Sequence, residues 1–429
     1  MPERIRRAAG GELTFQAPDA AGAYRVFVFL TGGKGNGACA NIPFFVRSQP
    51  ISPKITPAVS RMDNGGMLPL TSRRTVLSLA AGAGRGFPAA AARKRILIPG
   101  GTGFLGPATI ASAPARGRRL TLFNRGKTRP ELFPHIEKLR GGRDPNKDAG
   151  LSALEGRRWD AVIDNSGYYP RMVGASARIL ANNASHYTYI SSISAYASDK
   201  VEGENESGPL ASIPDPSVET MGKDFENFGA LKALCEKAAE EAMPGRVTIV
   251  RPGYIVGPDD PSGRFTYWPV RMDRGGEVLA PGTPAGPVQF IDVRDLGEWL
   301  VKICEDGIKG VFNATGPGKR TGFGELLNAC RRAAGARTSL TWVPAEFLEK
   351  VKIQFPIWAP YRDGTKGAHT RRIARAVRAG LRFRPVLRTV EDTLAWYKTQ
   401  QGPEGRTRLA GPTPDQEKKA LEEWKRRRG

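Results

Sequence analysis

RILIPGGTGFLGP, residues 95–107, runs from a short apolar stretch into Gly100, Gly103 and Gly106 and then into a helix-compatible segment. Strand, glycine turn and helix in that order are what a phosphate cradle needs. The turn is tight, the backbone must approach a pyrophosphate, and the helix must pack closely on its strand, so side chains are unwelcome at the three glycines. Phe104 and Leu105 open the helix, whose first N–H groups and positive dipole end would face the phosphates. Pro107 fits a first helical turn, whereas Pro114 predicts an early end to this helix.

A glycine triplet gains weight from its surroundings. Apolar runs recur after it as LTLF, DAVID, YTYIS and VTIVRP, each followed by a stretch that can form a helix. Continuous apolar runs of that length suit parallel strands buried on both faces. The predicted class is α/β, a Rossmann-type doubly wound parallel sheet, with a smaller C-terminal substrate domain beside the strand ends. Residues 93–251 form the predicted NAD(P)-binding domain, 252–400 the substrate domain and 401–429 a tail ending in a short exposed basic helix, EKKALEEWKRRRG.

The residues before this region read differently. Within 1–66, the segments AYRVFVFL (23–30) and ACANIPFFV (38–46), joined by TGGKGNG, predict a β-hairpin resembling the last hairpin of a β-sandwich domain. Two strands bury no core of their own. Residues 71–92, TSRRTVLSLAAGAGRGFPAAAA, resemble a twin-arginine export signal, with paired Arg73 and Arg74 before a mildly apolar run. Met67 lies just ahead of it, so 1–66 reads as an extension or a misassigned start and 67–92 as the signal. The expected location is periplasmic by the twin-arginine route, and cytoplasmic if the segment is only a basic helix start and linker.

With 429 residues, of which 40% are hydrophobic, the chain can bury one sizeable core or two smaller ones. No stretch reaches the roughly 18 to 20 uninterrupted apolar residues of a spanning helix, so no membrane span is predicted. A formal charge of +23 favours acidic partners. The basic residues are scattered rather than striped, so nucleic acid is not the expected partner. Cys39, Cys235, Cys304 and Cys330 are far apart, and His135, His186 and His369 are dispersed. Neither a metal site, a disulfide framework nor a nucleophilic triad is indicated.

About twenty residues after the glycines, a site for NAD usually offers a carboxylate to the adenosine ribose. Here stand Asn124 and Arg125, with Lys127 and Arg129 beyond. A guanidinium suits a 2′-phosphate, which favours NADP over NAD. Lys127 and Arg129 read as a solvated basic loop. Further on, DNSGYYP places Asn165, Tyr168 and Tyr169 after one strand, and YISSISAYA places Ser192 and Tyr196 after the next. Then comes FGALK, with Phe228 one helical turn before Lys232.

On these motifs the chain resembles the extended short-chain dehydrogenase/reductase family, the NAD(P)-dependent epimerases and dehydratases acting largely on nucleotide sugars. The resemblance covers about residues 94–316 with specific motifs, including Arg251, Pro252 and Gly253 as the family's RPG-type loop and QFIDVRDL, 289–296, as its interdomain stretch. It implies that Ser192 hydrogen-bonds the substrate oxygen and that Lys232 holds the nicotinamide ribose. The family's proton-transferring tyrosine would stand where this chain has Phe228, and a phenyl ring neither gives nor accepts a proton. Tyr168, Tyr169, Tyr196 and Tyr254, or a water ordered by Lys232, are the candidate substitutes. The family often carries Gly-Asp at an adenine contact; LRGGRD puts Gly142 there with Asp144 nearby. In GRFTYWPVRMDRGG, 263–276, Arg264, Tyr267, Trp268 and Arg271 are either substrate contacts or core and surface residues. The implied partner is a small sugar-like substrate, with a homodimer as the candidate assembly. RNA binding on the same fold, and cofactor binding without turnover, are the rival readings.

Overall fold

The computed structural model describes residues 6–7, 13–14, 22–31, 37–46, 94–113, 117–147, 150–400 and 405–428. Two compact units are present, Met1–Pro88 and Ala89–Gly429. In the first, strands Gly22–Thr31 and Gly37–Val46 pair antiparallel, Gly22 opposite Val46 and Thr31 opposite Gly37, so the hairpin expected from the sequence is there. The twin-arginine-like stretch, 71–92, lies outside the described residues.

The second unit is built on seven parallel strands: β1 (Arg95–Pro99), β2 (Arg119–Asn124), β3 (Glu137–Arg140), β4 (Ala161–Asp164), β5 (Tyr187–Ile190), β6 (Val247–Pro252) and β7 (Gly310–Ala314). Their order across the sheet is β7-β6-β5-β4-β1-β2-β3. Five of these are the apolar runs of the sequence. The edge strands β3 and β7 are additions.

Side-chain alternation sorts the two faces. Ile96 and Ile98 enter one core and Leu97 enters the other, all three fully buried. The first core is covered by helices α1 (Leu105–Ser112) and α5 (Val293–Asp306), the second by α2 (Pro170–Leu180) and α3 (Phe228–Ala242). Each buried aliphatic side chain here contributes roughly 1.5–3 kcal/mol. Helix α1 ends at Ser112, ahead of Pro114 as its sequence requires. Gly297 on α5 lets that helix lie against the α1 backbone, since a Cβ there would come within 2.7 Å of Ala108 and Thr109 backbone atoms.

A third core gathers residues from 256 to 424 around α4 (Tyr267–Asp273), α6 (Phe323–Ala334), α7 (Val386–Thr399) and α8 (Pro414–Arg426). The C-terminal stretch is not the exposed basic helix its charges suggested. Glu417, Ala420 and Leu421 are buried on α8, and Glu417 receives the Arg271 guanidinium at 2.5 Å. Its cations occupy the outward face only. The chain also returns to the central sheet after residue 252, because α5 and β7 complete it.

Candidate active site

The strand order reverses at β1, which has β2 on one side and β4 on the other. The loops leaving β1, β2 and β4 therefore diverge, and a crevice opens at the strands' carboxyl ends. A cleft of about 560 Å³ lies there, lined by Gly100, Gly103, Asn124, Arg125, Lys127, Gly142, Arg143, Ser166, Tyr168 and Tyr169 among others.

The glycines perform three different tasks in it. Gly100 has φ of 100°, and a Cβ there would strike the Asn165 Oδ1 at 2.5 Å. At Gly106 a Cβ would overlap the Gly101 carbonyl at 2.3 Å, so this glycine seats α1 on the turn. Gly103 is different: nothing stands within 4 Å of its Cβ position. Its backbone borders open space at the helix start, where a phosphate would sit. No acidic residue occupies the first turn of α1, so the dipole end is not compensated internally. Phe104 and Leu105 contribute backbone at that end while their side chains pack into the first core.

Asn124 ends β2 with both faces of its amide engaged. Its Nδ2 donates to the Gly100 carbonyl at 3.0 Å, and its Oδ1 accepts from Gly126 N at 2.9 Å and Arg140 at 3.1 Å. It therefore ties the β2 loop to the glycine turn. Arg125, next along, is exposed and lines the cleft, with no hydrogen bond or ion pair among the described residues. Lys127 and Lys147 also line the cleft. Arg129, read from sequence as solvated, is bound to the glycine turn instead: its Nε donates to the Thr102 carbonyl at 2.9 Å and its Nη2 to the Gly103 carbonyl at 2.7 Å.

Asp144, beside the position where the resemblance implies an adenine contact, is engaged by neighbouring residues. Asp144 takes the Arg171 guanidinium at 2.8 Å and the Asn146 N–H at 3.0 Å, and this holds its carboxyl down at about 2. Arg143, which sequence reasoning passed over between Gly142 and Asp144, reaches inward to grip Asp164 at the end of β4 with two 2.7 Å bonds. The Tyr187 hydroxyl donates to the same carboxylate at 2.5 Å. Burial pushes the Asp164 carboxyl up, and Arg143 more than offsets that, leaving it below its usual range. The cleft floor is thus a closed ionic network.

Lys232 lies under the far end of the cleft. Its ammonium is buried and donates to the Ile190 carbonyl at 2.6 Å and the Gly167 carbonyl at 2.9 Å, between the ends of β4 and β5. The Tyr189 ring centre is 4.4 Å away and that of Tyr168 is 5.3 Å away. Burial lowers its pKa to about 8, with neighbouring negative groups opposing. One turn further along α3, Glu236 pairs with buried Arg251 at 2.6 Å and accepts the Ser191 hydroxyl at 2.5 Å. The face of α3 that carries Lys232 is therefore fixed to β5 and β6.

Phe228 is the first residue of α3 and is half-buried. Ser192 begins a short 3₁₀ turn, Ile193–Ala195, and its Oγ accepts from Ser194 N at 3.0 Å, which leaves the hydroxyl proton available to a ligand. Of the four candidate replacement tyrosines, two are occupied elsewhere. Tyr196 is buried with its hydroxyl on Asn313 Oδ1 at 2.7 Å, and Tyr254 stacks on His369 at 5.7 Å between ring centres. Tyr168, 49% exposed, and Tyr169 line the cleft. Pro252 closes β6 in the buried interior.

The aromatic segment 263–276 divides. Tyr267 and Trp268 are core residues of the third cluster, and Arg271 is spent on Glu417 and the Gly275 carbonyl, so these three are structural. Arg264 lies with its guanidinium 5.0 Å from the Tyr254 ring centre. His186 and His369 are buried and held neutral, desolvation pulling both to about 4. Cys235, Cys304 and Cys330 are buried free thiols.

Fold and crevice together define a class: a Rossmann-type α/β protein with a glycine-lined cleft at the topological switch point. No protein-family model matches the chain. It is 26% identical over 273 residues to the epimerase family protein SDR39U1 of Bos taurus, covering 60% of this chain and 86% of that protein. It is 26% identical over 270 residues to the chloroplast stem-loop binding protein of 41 kDa b of Arabidopsis thaliana, covering 58% of this chain and 65% of that protein. The Bordetella bronchiseptica enzyme WbmG, crystallised with NAD and UDP, superposes with a TM-score of 0.54 at 18% identity, covering 72% of this chain and 95% of that one. That last similarity is one of fold. The chain is thus similar in sequence to an epimerase family protein and shares the Rossmann-type fold of that enzyme.

Proposed function

We propose that the chain is an NADP-preferring oxidoreductase of the epimerase/dehydratase type, acting on a sugar or sugar-nucleotide hydroxyl or carbonyl, with turnover held low by Phe228. The observation that carries the proposal is Lys232: a buried ammonium fixed between the Gly167 and Ile190 carbonyls at the edge of a glycine-lined crevice. A lysine so desolvated is costly to a fold that does not use it.

The residues fit a dinucleotide. Gly100, Gly103 and the start of α1 would hold the pyrophosphate through backbone N–H groups, and Arg125 would meet a 2′-phosphate. Lys232 would hold the nicotinamide ribose. A bound nicotinamide supplies hydride exchange with a substrate carbon. The Ser192 hydroxyl proton would then be directed at the substrate oxygen, while the proton itself has no agent at position 228. Loss of a general acid/base lowers rate by about 10²- to 10⁴-fold. The similarity in fold to an enzyme crystallised with NAD and UDP supports a nucleotide-linked sugar as substrate. Export by the twin-arginine route would instead favour a free or glycosidic sugar, and signal cleavage after residue 92 in a secreting host tests it.

The test of cofactor binding is a fluorescence titration of the full chain with NADPH and NADH. NADPH is expected to bind, and more tightly than NADH. If neither binds, the proposal falls. A second reading draws on the relative named as a stem-loop binding protein and on the +23 charge. Stem-loop RNA that binds with a steep salt dependence, in the absence of dinucleotide binding, would favour it.

A further inference from the structure

Arg129 and Asp259 meet across the glycine turn. Arg129 belongs to the loop after β2 and Asp259 to the loop after β6, and the two form an ion pair. The same guanidinium donates to the Thr102 and Gly103 carbonyls. Both residues hold left-handed backbone, with φ of 40° at Arg129 and 71° at Asp259, a conformation non-glycine residues seldom adopt. Strain of this kind persists where the surroundings enforce it, and it gathers at ligand clamps.

A guanidinium has five N–H donors. Three serve Thr102, Gly103 and Asp259, so two are left on a side chain still about one-third exposed. The carbonyls fix the group beside Gly103, whose open side is where the turn's own N–H groups would take a phosphate. Backbone N–H groups and a charge-assisted guanidinium then converge on one anion from two loops.

We infer that Arg129 is a pyrophosphate-holding residue and that the Asp259 carboxylate occupies its guanidinium until a nucleoside diphosphate arrives. The inference rests on the dinucleotide reading of the cleft and adds a residue outside the glycine motif. Arg129 stays on the turn carbonyls, donates its spare N–H groups to the pyrophosphate oxygens, and loosens from Asp259 because two anions compete for one cation.

Calorimetric titration of the full chain with ADP and with adenosine tests this, since only ADP carries the diphosphate. Arg129→Met should weaken ADP binding about tenfold or more, the scale of a lost charged hydrogen bond, and leave adenosine unchanged. Asp259→Asn, which removes the competing charge, should tighten ADP binding severalfold. Equal weakening of ADP and adenosine in Arg129→Met would mean that the arginine only shapes the turn and would overturn the inference. So would an Asp259→Asn variant that binds ADP more weakly. If the unaltered chain binds neither ADP nor NADPH, the dinucleotide reading itself fails. If it binds both and Arg129→Met changes neither, only the role of Arg129 is lost.

Discussion

The Lys232 ammonium donates to the Gly167 carbonyl at 2.9 Å, joining α3 to the loop after β4 at a point sealed from solvent. Burial lowers the lysine from its ordinary value of 10.5 to about 8. In the unfolded chain the amine returns to water and rebinds its proton more tightly. Between pH 8 and 10.5 the unfolded state therefore carries more protons than the folded one, and stability from this group rises with pH. Below pH 8 the cost of the buried charge is fully present. Thermal unfolding of the unaltered chain and of Lys232→Met should differ most at pH 7, with Lys232→Met the more stable, and the two should converge towards pH 10. The same variant should bind NADPH more weakly. A gap independent of pH would show that Lys232 is not buried as a charged group.

Arg125 is exposed in the cleft without a partner among the described residues, whereas its neighbour Asn124 is fully engaged with Gly100, Gly126 and Arg140. The cofactor preference should therefore depend on Arg125. Arg125→Ala is expected to weaken NADPH by about tenfold, the lower end for a charged hydrogen bond, and to leave NADH nearly unchanged. Competition titrations with the two cofactors measure the ratio directly. Equal losses for both would move the 2′-phosphate elsewhere, with Lys127 and Lys147 next to be examined.

Glu236 and Arg251 form a buried pair at 2.6 Å, with the Ser191 hydroxyl on the same carboxylate. Removing one member leaves the other charge stranded, which typically costs about 3–5 kcal/mol. Glu236→Gln should accordingly lose stability on that scale in urea unfolding, with an unchanged denaturant slope. Because the pair fixes the face of α3 one turn beyond Lys232, dinucleotide affinity should fall in the same variant even where it remains folded. A loss below about 1 kcal/mol would place the pair among weak surface bridges instead.

The central sheet is legible in the sequence because buried parallel strands are apolar almost throughout: Ile96, Leu97 and Ile98 have no exposed surface, and neither face tolerates a polar residue there. β3 escapes that pattern. It is an edge strand of four residues, EKLR, in which only Leu139 is buried, so its sequence reads as loop. β7, GVFNA, includes buried Asn313, which interrupts the apolar pattern because its Oδ1 accepts from the Tyr196 hydroxyl and its Nδ2 donates to the Arg372 carbonyl. The glycine turn could be read from spacing, since at Gly106 the contact that excludes a side chain is with Gly101 of the same motif, although the one at Gly100 is with distant Asn165. The Arg129 contacts could not, because Asp259 comes from a loop after β6 and only the closed sheet brings the two together. The charged tail misled for a related reason: α8 has a basic outer face, but Glu417, Ala420 and Leu421 are spaced to bury one side.

We propose that the dinucleotide cradle is intact while proton transfer lacks its agent at position 228. Phe228 begins α3 four residues before Lys232, so a hydroxyl added there would stand on the same helical face as the ammonium. The most direct measurement is turnover of a panel of UDP-sugars and free sugars by the unaltered chain and by Phe228→Tyr, each supplied with the dinucleotide it binds. The predicted result is a gain of about 10²- to 10⁴-fold in Phe228→Tyr with little change in cofactor affinity. Equal or faster turnover by the unaltered chain would contradict the claim and transfer the proton to another group, with Tyr168 in the cleft the first to replace.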